Sequence, residues 1–208
     1  MPKSRTRKKA KSKQSAKIDW GASSAKGSDK INLLLGAILV VALAGGGLFW
    51  WQASQTRSRF MYLVDDGQPA LARVQTMPNH GGGHLSPGQG HSYGVPFPTS
   101  GIHARTPTEP GFYSESQPPI GLVHALEHGH VVIYYGQPGG DALTLLKDWT
   151  SLYAGHWDGV IAVPSPGLGN SVVLTAWRKM LRLDRFAPAA SAAFIDAYRG
   201  RGPENPVR

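Results

Sequence analysis

The run Ile31 to Trp51, INLLLGAILVVALAGGGLFWW, carries no charge along about 21 residues, enough to cross the hydrocarbon core of a bilayer as a helix. Trp50 and Trp51 stand where an interfacial aromatic belt is expected. Ahead of the run lie Lys3, Arg5, Arg7, Lys8, Lys9, Lys11, Lys13, Lys17, Lys26 and Lys30, whereas only Arg57 and Arg59 follow it closely. The positive-inside rule therefore places the N-terminus in the cytoplasm and the chain from about residue 52 onward outside it. A signal peptide shares the basic start and the apolar core, and Ala42-Leu43-Ala44 resembles a cleavage site. The basic region is long for such a leader, however, and the apolar run continues well past that tripeptide. A buried helix of a soluble domain would show a polar face over this length. The expectation is an uncleaved single-span anchor in the cell membrane.

That segment also explains the charge. The formal net charge is +9, which taken alone suggests a nucleic-acid partner. Residues 1–30 hold ten Lys/Arg against Asp19 and Asp29, and the remaining chain is nearly neutral, with 12 basic and 11 acidic side chains. The basic character belongs to the tail, so no nucleic-acid partner is expected for the rest. The stretch Lys3 to Lys17 has almost no apolar content and is expected to be disordered. Attraction to anionic headgroups is one role for it; setting topology is the simpler one. The chain has no cysteine, which excludes disulfides, thiolate zinc sites, iron–sulfur clusters, c-type haem attachment and a cysteine nucleophile.

These observations divide the chain into a basic disordered cytoplasmic tail (1–30), a transmembrane helix (31–51), a connecting segment (52–76) and a histidine-rich extracytoplasmic domain (77–204). In the connecting segment Phe60, Tyr62 and Val64 alternate and Leu71 to Val74 is apolar, so a strand or short helix is open at either place. From Met77 to Pro119, Gly and Pro recur too often for a regular helix or a central strand. Long loops of this kind are commonly functional or disordered. This one has Tyr93, Phe97, Ile102, Phe112 and Tyr113 to dock with, and carries His80, His84, His91 and His103.

Beyond it the pattern is regular. Ile120 to His128 reads as a short helix halted by Gly129, and His130 to Tyr135 as a buried strand. Asp141 is a candidate N-cap for a helix reaching about Ala154. Gly159 to Val163 and Ser171 to Ala176 read as short strands, and Ala189 to Tyr198 as a second amphipathic helix. The expected class is α+β, a small mixed domain preceded by one transmembrane helix.

The chemistry concentrates at His124-Ala-Leu-Glu127-His128. On a helix, His124 and His128 project from one face, a good spacing for two imidazoles on one metal, and Glu127 reaches the same face. Written H-x-x-E-H, the segment matches the inverted zinc-peptidase motif, in which the carboxylate acts on metal-bound water. Two helix histidines satisfied by hydrogen bonds are the plainer alternative. The loop histidines shift the balance, because a loop folded over the helix brings further ligands. His130 is expected to share a strand face with Val132 and Tyr134, while His156 beside Trp157 reads as a structural turn residue. Without cysteine the donors are nitrogen and oxygen, with Met77 the nearest sulfur; such a set suits zinc or copper(II).

The order His91-x-Tyr93, Pro96-x-Pro-Thr-Ser-Gly-x-His103, Gly111-x-Tyr113 and Val123-His-Ala-Leu-Glu-His-Gly129 is distinctive. So are Leu174-Thr-Ala-Trp177 and the stretch from Phe194 to Glu204. Together they resemble an uncharacterised family of bacterial membrane-anchored proteins, a domain of unknown function, over about residues 75–204. Phe97 departs from the second proline more usual there. The resemblance implies a single-span anchor and an extracytoplasmic domain and implies no activity. The motif positions nominate His91, His103, His124 and His128 as metal ligands, with Glu127 as a ligand or partner, and Tyr93, Ser100 and Tyr113 as groups that orient imidazoles.

Three classes of function follow. The first is a metal-binding module for a copper or zinc ion: a carrier, an assembly factor, or an accessory subunit of another membrane protein or complex. The second is a metal-free interaction domain whose histidines pin the loop. The third is a metallohydrolase with Glu127 as base, which requires a downstream carboxylate from Asp141, Asp148, Asp158, Asp184, Asp196 or Glu204. The module ranks first and the hydrolase last, so an enzyme is not the expectation. Ser100 lacks a nucleophile elbow, and Gly81-Gly82-Gly83 lacks the Lys-Ser/Thr of a phosphate loop.

Overall fold

The structure, a computed structural model, describes residues 25–208; the basic disordered tail expected for the N-terminus falls mostly on 1–24, outside the described residues. Helix α1 runs over Ala25–Gly67. It contains a stretch long and apolar enough to cross a membrane, and that stretch is covered by no other described residue. Leu34, Leu39 and Val41 on it are exposed. The chain divides into two units, one ending at Leu48 and the other comprising Phe49–Arg208.

In the second unit the connecting segment is helical as far as Arg73. The alternation of Phe60, Tyr62 and Val64 is a fragment of an i, i+4 pattern: Phe60 and Val64 are buried while Tyr62 is exposed. Phe60 meets Trp149 and Tyr153 edge-on, with ring centroids 5.6 and 5.0 Å away. The 310 turn Gln68–Arg73 follows, entered through Pro69, whose ring fixes φ and which needs no amide partner there.

Six strands form one sheet: β1 (Gln75–Thr76), β2 (Gly111–Phe112), β3 (Val131–Tyr135), β4 (Val160–Pro164), β5 (Val172–Ala176) and β6 (Lys179–Leu183). Their order is β1-β6-β5-β3-β4-β2. β3 and β4 are parallel, joined through helix α3 (Gly140–Leu152), as a parallel pair requires. β3–β5 and β5–β6 are antiparallel. Strand β3 is a Val/Ile/Tyr run buried along its whole length, as expected of a strand covered on both faces.

The pleat then sorts side chains between two cores. Val131, Ile133, Val160, Ala162, Val172 and Leu174 face α3 and helix α4 (Pro188–Tyr198), together with Phe60, Trp149 and Phe194. Val132, Tyr134, Ile161, Val163 and Val173 face the other way, onto Leu122, Ala125 and Leu126 of helix α2 (Pro119–Glu127) and onto Phe97 from the long loop. Full burial of each such side chain contributes roughly 1.5–3 kcal/mol, which ties α2 and the loop to the sheet. Two readings need correction. Asp141 is not the N-cap of α3; Gly139 holds that place and Asp141 sits in the first turn. Strand β6 has no counterpart in the sequence reading, because Lys179 and Arg182 interrupt its apolar pattern.

Candidate metal centre

The Gly/Pro-rich loop has a definite path beside α2. Two of its segments lie parallel: the Gly101 and His103 amides donate to the carbonyls of Gly81 and Gly83, both at 2.9 Å, and the Leu85 amide donates to the His103 carbonyl at 2.7 Å. His84 and His103 thereby become bridge partners, and paired residues of a ladder present their side chains on the same side. Helix α2 supplies His124 and Glu127, three residues apart on one face. One donor atom each from His84, His103, His124 and Glu127 falls within 4.8 Å of all the others. The His103 and His124 rings stack with centroids 4.7 Å apart, and His84 lies 5.1 and 4.8 Å from them.

The tautomer of His103 follows from its partner. Nδ1 lies 2.8 Å from the Gly101 carbonyl oxygen, which only accepts, so Nδ1 carries the proton. In the neutral ring Nε2 then presents a lone pair, fully buried, toward the Glu127 Oε2 at 3.0 Å. A lone pair facing a carboxylate oxygen calls for a positive charge between them, either a proton or a metal ion. A backbone carbonyl holding the far nitrogen is also how metal-binding imidazoles are oriented.

A second group adjoins the first. His128 Nε2 lies 3.1 Å from Glu204 Oε2, and His124 Nε2 lies 3.8 Å from the same oxygen. Glu204 comes from the chain's last residues, which are seated on the end of α2: the Gly200 amide donates to Gly129 at 2.8 Å and the Glu204 amide to Glu127 at 3.3 Å. Gly129 is what allows the seat. Its φ is +96°, and a Cβ there would lie 2.8 Å from both the Gly202 nitrogen and the Trp157 oxygen. The His128 ring is flanked by Trp157, His156 and His130, with centroids 4.3, 4.9 and 5.9 Å away.

Burial disfavours the charged form of three imidazoles, His124, His128 and His130. His124 is pushed down to about 4 first by burial, then by the neighbouring His103, His128 and His84. His128 is lowered, chiefly by burial. His130 is pushed down to about 4 by burial and by His128. Neutral imidazole is the form that ligates metal, so His124 and His128 need little proton release to bind one.

Of the residues nominated from sequence, His103, His124, Glu127 and His128 are brought together, and His91 is not. His91 packs edge-on against Tyr93, 4.6 Å between centroids, on the wall of a cavity of about 580 Å³ that His80 also lines. His84 stands in the group instead, because the bridge to His103 selects it. Tyr93, Ser100 and Tyr113 do not orient imidazoles through hydrogen bonds: their hydroxyls donate to the carbonyls of Ile102, Pro78 and Glu109 and so hold the loop itself. Met77 is partly buried and packs against the second core. His130 Nε2 lies 2.9 Å from the His156 carbonyl oxygen, consistent with His156 as a turn residue. In the sequence Glu204 is one of six candidate downstream carboxylates, and it closes the last of the distinctive motifs.

Fold and site together define a class: a mixed helix-and-sheet domain with a His/Glu donor cluster, behind one helix long and apolar enough to cross a membrane. The chain belongs to the family described as "Protein of unknown function (DUF3105)", which matches residues 84–208, well over half of its length and including every residue of both donor groups. No curated protein and no solved structure matches it.

Proposed function

We propose that the protein is a membrane-anchored, extracytoplasmic metal-binding module that takes a copper or zinc ion at His84, His103, His124 and Glu127. The observation that carries this reading is the His103–Glu127 contact at 3.0 Å, an acceptor pair with two more imidazoles around it. Three nitrogens and one carboxylate oxygen suit zinc or copper(II), and four protein donors make a closed site of the structural or storage kind. The apolar helix with its basic N-terminal flank supports a single span with the domain outside the cytoplasm. A carrier, an assembly factor, or an accessory subunit of a membrane complex fits both features.

The hydrolase reading gains one observation: Glu204 supplies the downstream carboxylate that H-x-x-E-H requires. Against it, Glu127 is turned to His103 rather than left free to act on water, and α2 ends at Glu127. The metal-free interaction domain would leave the His103 and Glu127 acceptors opposed with only a proton between them.

The test is metal content of the full-length protein purified in detergent, beside His124→Ala, which removes a donor from both groups. Copper or zinc in the wild type and none in the variant is the expected outcome. No metal in either, with added copper and zinc leaving the melting temperature unchanged, would overturn the proposal.

A further inference from the structure

We infer that His128 and Glu204 complete a second cation position that shares His124 with the first. The inference rests on the metal-binding reading of the His84, His103, His124 and Glu127 group, and its own observations are separate. Donor atoms of His124, His128 and Glu204 lie within 4.8 Å of one another, with both imidazole Nε2 atoms turned to one carboxylate oxygen.

The components of this position are held in place. His124 and His128 are one helical turn apart, linked by the hydrogen bond from the His128 amide to the His124 carbonyl at 3.1 Å. The His128 ring leans on Trp157, with centroids 4.3 Å apart, which restricts its orientation. Glu204 is 41% exposed at its side chain, yet its backbone is tied to Glu127 through the tail seated on Gly129. A solvated surface carboxylate would need no such seat.

The donor count separates the two positions chemically. The first has four protein donors, while the second has two nitrogens and one oxygen, with the oxygen at the surface. Three donors leave a tetrahedral ion one place for water or for a donor from another molecule. That is the requirement for handing an ion to an acceptor or receiving one. Because His124 belongs to both groups, the positions are contiguous, and an ion passing between them exchanges its other ligands around that ring.

The test uses the full-length chain in detergent with zinc alone as the probe. His84→Ala/Glu127→Gln strips the first position of its exposed imidazole and its carboxylate. The expected result is that this variant still binds zinc, and that ring-nitrogen NMR signals of His124 and His128 shift while those of His156 do not. Adding Glu204→Gln is expected to abolish both the binding and the shifts. Zinc bound by the wild type but not by His84→Ala/Glu127→Gln would overturn the second position and leave the first standing. Binding that survives Glu204→Gln would also overturn it. Zinc bound by none of the proteins, wild type included, would remove both readings.

Discussion

Replacing Gly129 by Ala tests the account of how Glu204 reaches the histidines. At φ +96° a side chain is strained whatever surrounds it, costing roughly 1–2 kcal/mol by the left-handed penalty. Here the surroundings are backbone: a Cβ would lie 2.8 Å from the Gly202 nitrogen, 2.8 Å from the Trp157 oxygen and 3.1 Å from the Arg201 nitrogen. These atoms cannot rotate away as a flexible side chain does, so the tail must lift. Lifting it puts the Gly200–Gly129 and Glu204–Glu127 hydrogen bonds at risk, at about 1 kcal/mol each. The expected loss is about 3–4 kcal/mol, or roughly 10 °C in melting temperature for a domain of this size. Gly139→Ala is the control, since its φ of +92° is likewise positive but nothing lies within 4 Å of its Cβ. Thermal unfolding of the two variants separates strain from contact. A loss at Gly129 no larger than the loss at Gly139 would refute the close-packed seat for the tail.

Two further outcomes follow from the geometry. His130, held down to about 4 by burial, binds its proton more weakly folded than at its ordinary 6.5; its stabilisation is therefore present above about pH 6.5 and lost as pH falls through 4. In metal-free protein that loss reaches about 3 kcal/mol, and urea unfolding between pH 7 and 4 should show a shallower pH slope for His130→Gln, which keeps a donor for the His156 carbonyl; an unchanged slope would refute this role. Because the chain has no cysteine, single cysteines at Ser4 and at the exposed Ser114 report topology: a membrane-impermeant maleimide added to intact cells should label Ser114→Cys and spare Ser4→Cys, and the reverse pattern would overturn the proposed orientation.

Much of the fold was legible in the sequence because it rests on local pattern. The uncharged run from Ile31, the apolar strands β3, β4 and β5, the helices α2, α3 and α4, and the stop at Gly129 all follow from hydrophobic period and backbone chemistry. The i, i+3, i+4 set of His124, Glu127 and His128 was equally visible, since helix geometry alone puts those side chains on one face. Strand β6 escaped because its register comes from pairing with β5, not from its own alternation.

What the sequence by itself determined, then, is the apolar helix, the location of the positive charge, the mixed class and the helical half of the donor cluster. Only the tertiary structure chose the other half. Four histidines in a Gly/Pro-rich loop are equivalent on paper, because such a segment has no period from which to infer a direction. The parallel pairing of residues 81–85 with 101–103 selects His84 and His103 and leaves His91 on the cavity wall. In the same way, Glu204 lies 76 positions after His128, and that contact exists only because Gly129 admits the tail's backbone. Contacts of that range are fixed by packing and backbone hydrogen bonds between distant segments, which no local pattern encodes.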